Sequence, residues 1–263
     1  MDDPTDLDRA HAAMTATPED ATARLAYYHR LADTELCLLL QSEPEGGRID
    51  PAVFTLEEGR FVLAFDNEER LASFSDSPVP YAALPGRVIV AALAGQGTGI
   101  GLNLGVAPSA FLMAPAALDW LADALARAPV VGSGRPLAYS PPSLPGFGRA
   151  MAAKLAGLGA LASTAWLAGA RHGDGRSGHV LVFEDANPAA ETALAKAAGE
   201  AILFSGTDPE GIEILFLTAA QIAAEGLMGH AERIEISKPA EAPTARPLPA
   251  APGSDPARPP ILR

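Results

Sequence analysis

The sequence predicts a mixed α/β (α+β) protein of two domains, each a mixed sheet with packed helices, with disordered tails at both ends. Three observations lead there. The chain has 263 residues, and at about 100–200 residues per domain that is enough for two cores. Segments of strand composition alternate with segments of helical spacing in both halves, and short turns join some of the strands as hairpins, so the sheets should be mixed rather than purely parallel. The composition also shifts at three places. The start is acidic, residues 128–136 combine proline, glycine and serine as a domain junction does, and eight of the last twenty-six residues are proline. The expected organisation is a flexible acidic arm over 1–17, an amino-terminal domain over 18–130, a carboxy-terminal domain over 131–237 and a proline-rich tail over 238–263.

Order should begin at Thr17-Pro18-Glu19-Asp20, where a hydroxyl cap, a first-turn proline and acids near the positive helix end coincide. Leu25, Tyr28, Leu31 and Ala32 follow at helical spacing. A strand is expected over 36–40, then a hairpin pairing 53–56 with 60–65 across Glu58-Gly59. Asp66 or Asn67 caps the next helix, which contains Leu71 and Phe74. A short strand over 81–84, a helix over 87–94 and strands over 99–104 and 111–113 lead to a helix that Pro115 starts and that runs to about 128. On that helix Leu118, Leu121, Ala122 and Leu125 share a face, while Trp120 points nearly opposite, beside Asp123 and Arg127. Trp120 is therefore expected at the boundary between the domains, the alternative being an amphipathic ring on the surface.

In the second domain Phe147, Met151, Leu155 and Leu158 form a helical arc, followed by strands over 163–170 and 180–183. Asn187-Pro188 starts a helix to about 198, and a turn at 208–211 leads into a strand over 212–217. A helix from Ala219 and a strand over 234–236 complete it.

Residues 88–118 contain no charged side chain, but five glycines and two prolines interrupt them. A membrane-spanning helix needs about 20 apolar residues in regular conformation, so this run should instead be buried chain folded back on itself. Hydrophobic residues make up 48% and charged residues 19%, an ordinary globular composition. A net charge of -13 repels phosphate backbones and excludes nucleic acid as the expected partner. The acidic start Met1-Asp2-Asp3 lacks the positive charge of a secretory signal, so the expected compartment is the cytoplasm. Sixteen arginines against three lysines suggest a GC-rich bacterial genome. Cys37, the one cysteine, sits in an apolar run and should be a small buried hydrophobe.

The glycines at 95, 97, 99 and 101 do not make a dinucleotide fingerprint. Its sixth position falls on Ile100 or Leu102, and the segment leaves a helix for a strand, the reverse of the order that aims helix-start amides at a pyrophosphate. They should serve a turn and close backbone packing. The loop from His172 to His179 gathers imidazole, carboxylate and hydroxyl, but its glycines leave them unfixed, so it is expected to be a solvated hairpin loop. The sequence contains no Gly-x-Ser-x-Gly elbow and no zinc-helix spacing of histidines. Asp66, Glu68 and Glu69 form an acidic cluster whose expected role is helix-start electrostatics. No catalytic residue, cofactor or metal is assigned.

Two segments are more distinctive, Pro78-Val79-Pro80-Tyr81-Ala82-Ala83-Leu84-Pro85-Gly86-Arg87 and Gly101-Leu102-Asn103-Leu104-Gly105. They resemble the SseB family, named for enhanced serine sensitivity, most strongly over 25–125 and more weakly to 236. This chain has Leu104 where related sequences often place proline. The resemblance implies an amino-terminal and a carboxy-terminal SseB-type domain and brings no catalytic residues with it. The leading expectation is a non-enzymatic cytoplasmic protein that presents a surface to a protein partner. The alternative is a small-molecule sensor, for instance of an amino acid, with its site near Tyr81, Arg87 and Asn103, and an enzyme without a recognisable motif is the third option. Tyr81, Arg87, Asn103 and Trp120 are the candidate ligand or partner surface.

Overall fold

Two mixed sheets, each backed by helices, organise the chain. They are described from a computed structural model covering residues 3–44, 49–75, 77–127, 135–156, 158–206 and 211–236. The expected tail over 238–263 and most of the expected junction over 128–136 lie outside the described residues.

The first domain comprises α1 (Asp6–Ala16), α2 (Ala21–Asp33), β1 (Glu35–Leu39), β2 (Val53–Leu56), β3 (Gly59–Phe65), α3 (Glu68–Phe74), β4 (Tyr81–Pro85), α4 (Gly86–Leu93), β5 (Thr98–Leu102), β6 (Phe111–Met113) and α5 (Pro115–Ala126). The strand order is β4-β1-β3-β5-β6, with β2 also on β3. Only β3 and β5 run parallel. Alternation along β3 separates the two faces. Val62 and Ala64 join the main core with Leu31 of α2, Val90 of α4 and Leu121 of α5. Leu63 and Phe65 point the other way, to a smaller cluster with Cys37 and Leu71 under α3. Residues 88–118 become α4, β5, β6 and the start of α5, an uncharged run folded on itself. Among the described residues no helix is long and apolar enough to cross a membrane.

The β5 glycines pack against side chains of the α3 face. A Cβ at Gly99 would lie 2.7 Å from the Phe61 ring, and one at Gly101 would lie 2.7 Å from Leu104 and 2.8 Å from Leu63. Without side chains, β5 lets its neighbours lie flat on its backbone.

Residues 6–16, expected within the loose arm, form α1 instead. Thr5 and Asp8 cap it reciprocally: the Thr5 hydroxyl accepts from the Asp8 N–H at 3.1 Å, and the Asp8 carboxylate accepts from the Thr5 N–H at 2.9 Å. Burial of Leu7 and an ion pair from Asp8 to Arg70 hold it in place. Thr17 therefore ends α1, and Asp20 starts α2 by accepting from the Thr22 N–H.

The second domain comprises β7 (Ala138–Ser140), α6 (Phe147–Leu155), β8 (Thr164–Arg171), β9 (Ser177–Glu184), α7 (Glu191–Phe204), β10 (Ile212–Leu217), α8 (Ala219–Ala224) and β11 (Glu232–Glu235). Its order is β10-β9-β8-β11, with β7 also on β8. The β9–β10 pair is parallel and the others are antiparallel. Helices α6 and α7 cover one face through Met151, Leu194 and Ala198, and α8 covers the other through Ile222. The expected strand over 234–236 falls slightly earlier, and α7 continues to Phe204 rather than ending near 198.

Candidate functional site

The two domains meet where α2 and α4 of the first face α6 and α7 of the second, and the meeting place is charged. Helix α2 turns its apolar residues into its own core, which leaves His29 and Asp33, four residues apart, on the outward side. Gly86 lets the start of α4 press against α2, because a Cβ there would overlap the carbonyl of Leu31. Arg87 thereby sits in the first turn of α4. Its guanidinium donates to both Glu200 oxygens at 3.1 Å and also to Asp33. Lys154, from the last turn of α6, donates to Asp33 at 2.6 Å and lies 3.4 Å from Glu200. Two acids and two bases from four helices thus form one network across the domain boundary.

Burial works against the charge on Asp33, but hydrogen bonds from Lys154 and then Arg87 hold its carboxyl below the usual range. Glu200 is also lowered, its burial outweighed by Arg87 and Lys154. The Glu200 bond in turn raises Arg87. Burial, then the nearby Lys154 charge, pushes His29 down to about 4, so the imidazole is neutral at physiological pH.

His29 also stacks on Phe204, with ring centroids 4.7 Å apart and planes 11° apart. Phe204 ends α7 in the second domain, yet it packs into the first domain's core. Beside this junction lies a cleft of about 740 Å³, lined by α2, α6 and the end of α7.

The depressed His29 value sets a pH dependence. Between about 4 and the ordinary value of 6.5 the unfolded chain holds a proton that folded His29 does not. Stability is therefore full above 6.5 and falls as pH drops toward 4, by about 3 kcal/mol at most. His179, also lowered by burial, adds a slope of the same sign. The expected result is that His29→Gln removes part of the loss of stability between pH 6.5 and 4.5, read by urea unfolding at each pH. An unchanged slope would rule His29 out as its source.

His29, Asp33 and Glu200 each offer a ligand atom, and these atoms lie within 4.8 Å of one another, a spacing that can hold a metal ion. The donor set does not fit one. All four carboxylate oxygens already accept from Arg87 or Lys154, so an added cation would have to displace two resident ones.

The four candidate surface residues do not form one site. Arg87 belongs to the network above. The Tyr81 hydroxyl donates to Glu68 at 2.7 Å on the α3 side of the sheet. Asn103 is fully buried, which corrects its assignment to a surface. Its side chain serves the turn after β5, at a φ of 49°, accepting from the Asp66 N–H at 3.1 Å and donating to Ser109 at 3.1 Å. Trp120 is 39% exposed, neither sunk in its own domain nor fully solvated. Its ring lies 5.9 Å from Tyr28 and meets Phe204 edge-on at 6.4 Å.

Two other polar groups are closed. Asp66 forms an ion pair with Arg70 at 2.8 Å, Asp8 forms another, and Thr5 donates to Asp66 at 2.7 Å, while Asn67 caps α3. The loop after His172 turns back with Arg176 and Asp174 paired at 2.7 Å in solvent. His179 stands outside that turn, on β9, with Nε2 3.0 Å from the Ser143 hydroxyl. The same Nε2 accepts the Ser143 backbone N–H at 3.2 Å, so the pair fastens the segment after β7 to β9. Burial, then the charge of Glu68, pushes the Cys37 thiol up to about 11, which leaves it protonated and a poor nucleophile.

Residues 7–120 match the family model described as SseB protein N-terminal domain. That match covers most of the first domain and none of the second. No curated protein and no solved structure matches the chain.

Proposed function

We propose that this chain is a non-enzymatic, cytoplasmic protein-binding module in which the first domain takes an extended segment of a protein partner on the edge of β2. The observation behind this is the character of that strand. Its pairing among the described residues is with β3 alone, and Val53, Phe54 and Leu56 are 44%, 37% and 37% exposed. Edge strands are commonly blunted by charge, proline or a covering element. Here three large apolar side chains occupy a four-residue strand.

Phe54 lies opposite Phe61, which places it on the α3 face of the sheet. That face is covered by one seven-residue helix, whereas α1, α2, α4 and α5 share the other. Phe74, at the end of α3, adds a further exposed ring. Strand addition uses backbone hydrogen bonds for affinity and alternate side chains for specificity. Glu57, Glu58, Glu68 and Glu69 stand exposed around the patch, so the segment that fits it is apolar with basic flanks. The closed ion pairs and the inert Cys37 support a non-catalytic reading.

Affinity capture from a bacterial lysate with the wild-type chain and with Phe54→Asp/Leu56→Asp tests this. The expected result is a discrete partner retained by the wild type and lost by the variant, with the variant's melting temperature unchanged. A partner retained equally by both would remove β2 from the interface and the reading with it.

A further inference from the structure

Hydrogen-bond donors outnumber acceptors in one corner of the cleft between the domains. Asp33 and Glu200 have no oxygen left without a donor. Two donors nevertheless remain. Lys154 has three N–H bonds and spends two of them, one on each of two carboxylates. Arg30 stands 3.6 Å from Asp6 Oδ2, beyond hydrogen-bond distance, while Arg9 holds Asp6 Oδ1 at 2.6 Å. His29 Nε2 is not a third: it is closed off from the cleft, 3.6 Å from the same Asp33 oxygen that Lys154 holds at 2.6 Å.

The charges point the same way. Of the charged residues that line the cleft, Arg30 and Lys154 are basic and Asp33 is acidic, in a chain of net charge -13. The rest of the lining is apolar, with Ala26 on α2, Phe147 and Ala150 on α6, and Leu144 and Phe204 beside them. At about 740 Å³ the cleft is of the size that small-molecule sites have.

We infer that this cleft binds a small organic carboxylate with a compact apolar body. The carboxylate accepts from Arg30 and from Lys154, and the apolar body covers Ala26, Ala150 and Phe204. Because this site is separate from β2, it stands or falls independently of the proposed partner.

Isothermal titration of the full chain with phenylacetate and 3-methylbutanoate, each against its uncharged amide, tests the inference. At least one carboxylate is expected to bind and its amide is not. Arg30→Gln, at a half-exposed side chain, should weaken binding about tenfold through loss of a charge-assisted bond. Ala150→Leu, on an exposed helix position, should fill the cleft and abolish binding. Both variants should keep the wild-type melting temperature, which separates loss of the site from loss of the fold. Equal binding of acid and amide, binding unchanged in both variants, or no heat from either acid at millimolar concentration would each overturn it.

Discussion

Glu200→Ala is expected to destabilise the protein by about 2–4 kcal/mol, because it removes one member of a buried ion network and leaves the other charges behind. Glu200 is almost fully buried and takes both guanidinium bonds from Arg87. Without it, Arg87 and Lys154 face Asp33 alone, two positive charges sharing one carboxylate. The cost stays below that of a fully enclosed pair because Arg87 is about one-third exposed and water screens part of its charge. Removing both sides should cost less than removing one. Arg87→Met/Glu200→Met takes out a donor and an acceptor together and fills the space with apolar atoms. The measurement is a double-mutant cycle in urea. A double variant as unstable as the summed singles would mean that the pair is not coupled across the domain boundary.

What could be read from the sequence, and what could not, follows from the range of the forces involved. The strand β3 was recognisable because Phe61, Val62, Leu63 and Phe65 have strand composition and a glycine turn precedes them. Asn67 marks a helix start by accepting from the Arg70 N–H within its own turn, and Pro115 marks one by its fixed φ at the first helical position. Helix α1 is not legible locally, because its acids read as a solvated arm, whereas Asp8 is neutralised by Arg70, sixty-two residues further on. Arg87 stood out as a charge beside an uncharged run, but its partner Glu200 is 113 residues away in the other domain. No local pattern encodes that pairing. Glu200 does leave a trace: it is the sole charge in the stretch from Ala197 to Phe204 of α7, which is otherwise made of alanine, glycine, isoleucine, leucine and phenylalanine, and a carboxylate so placed needs a cation. Asn103 misled for the opposite reason, since a polar side chain in an apolar run can equally be spent on the chain's own turn.

Phe204→Ala should uncouple the domains and cost about 3–5 kcal/mol, the range for deleting a buried phenylalanine ring. The ring leaves the second domain at the end of α7, inserts among first-domain residues, stacks on His29 and meets Trp120 edge-on. Its loss opens a cavity on the first domain's side while the second domain's own core, built on Leu194, Ala198 and Ile202, remains intact. The variant should therefore differ from an ordinary core deletion in form as well as size. Thermal unfolding is expected to give one transition in the wild type and two resolved transitions in the variant, because the cost falls on the contact between cooperative units rather than within either. Trp120 reports the change directly. In a Trp166→Phe background it is the remaining tryptophan, and its emission should shift to longer wavelength when Phe204 is removed and its edge meets water. Phe204→Leu, which keeps most of the apolar volume, should retain a single transition and most of the stability. A single transition at the wild-type temperature in Phe204→Ala, with unchanged Trp120 emission, would show that the domains are joined by the ion network and not by this ring.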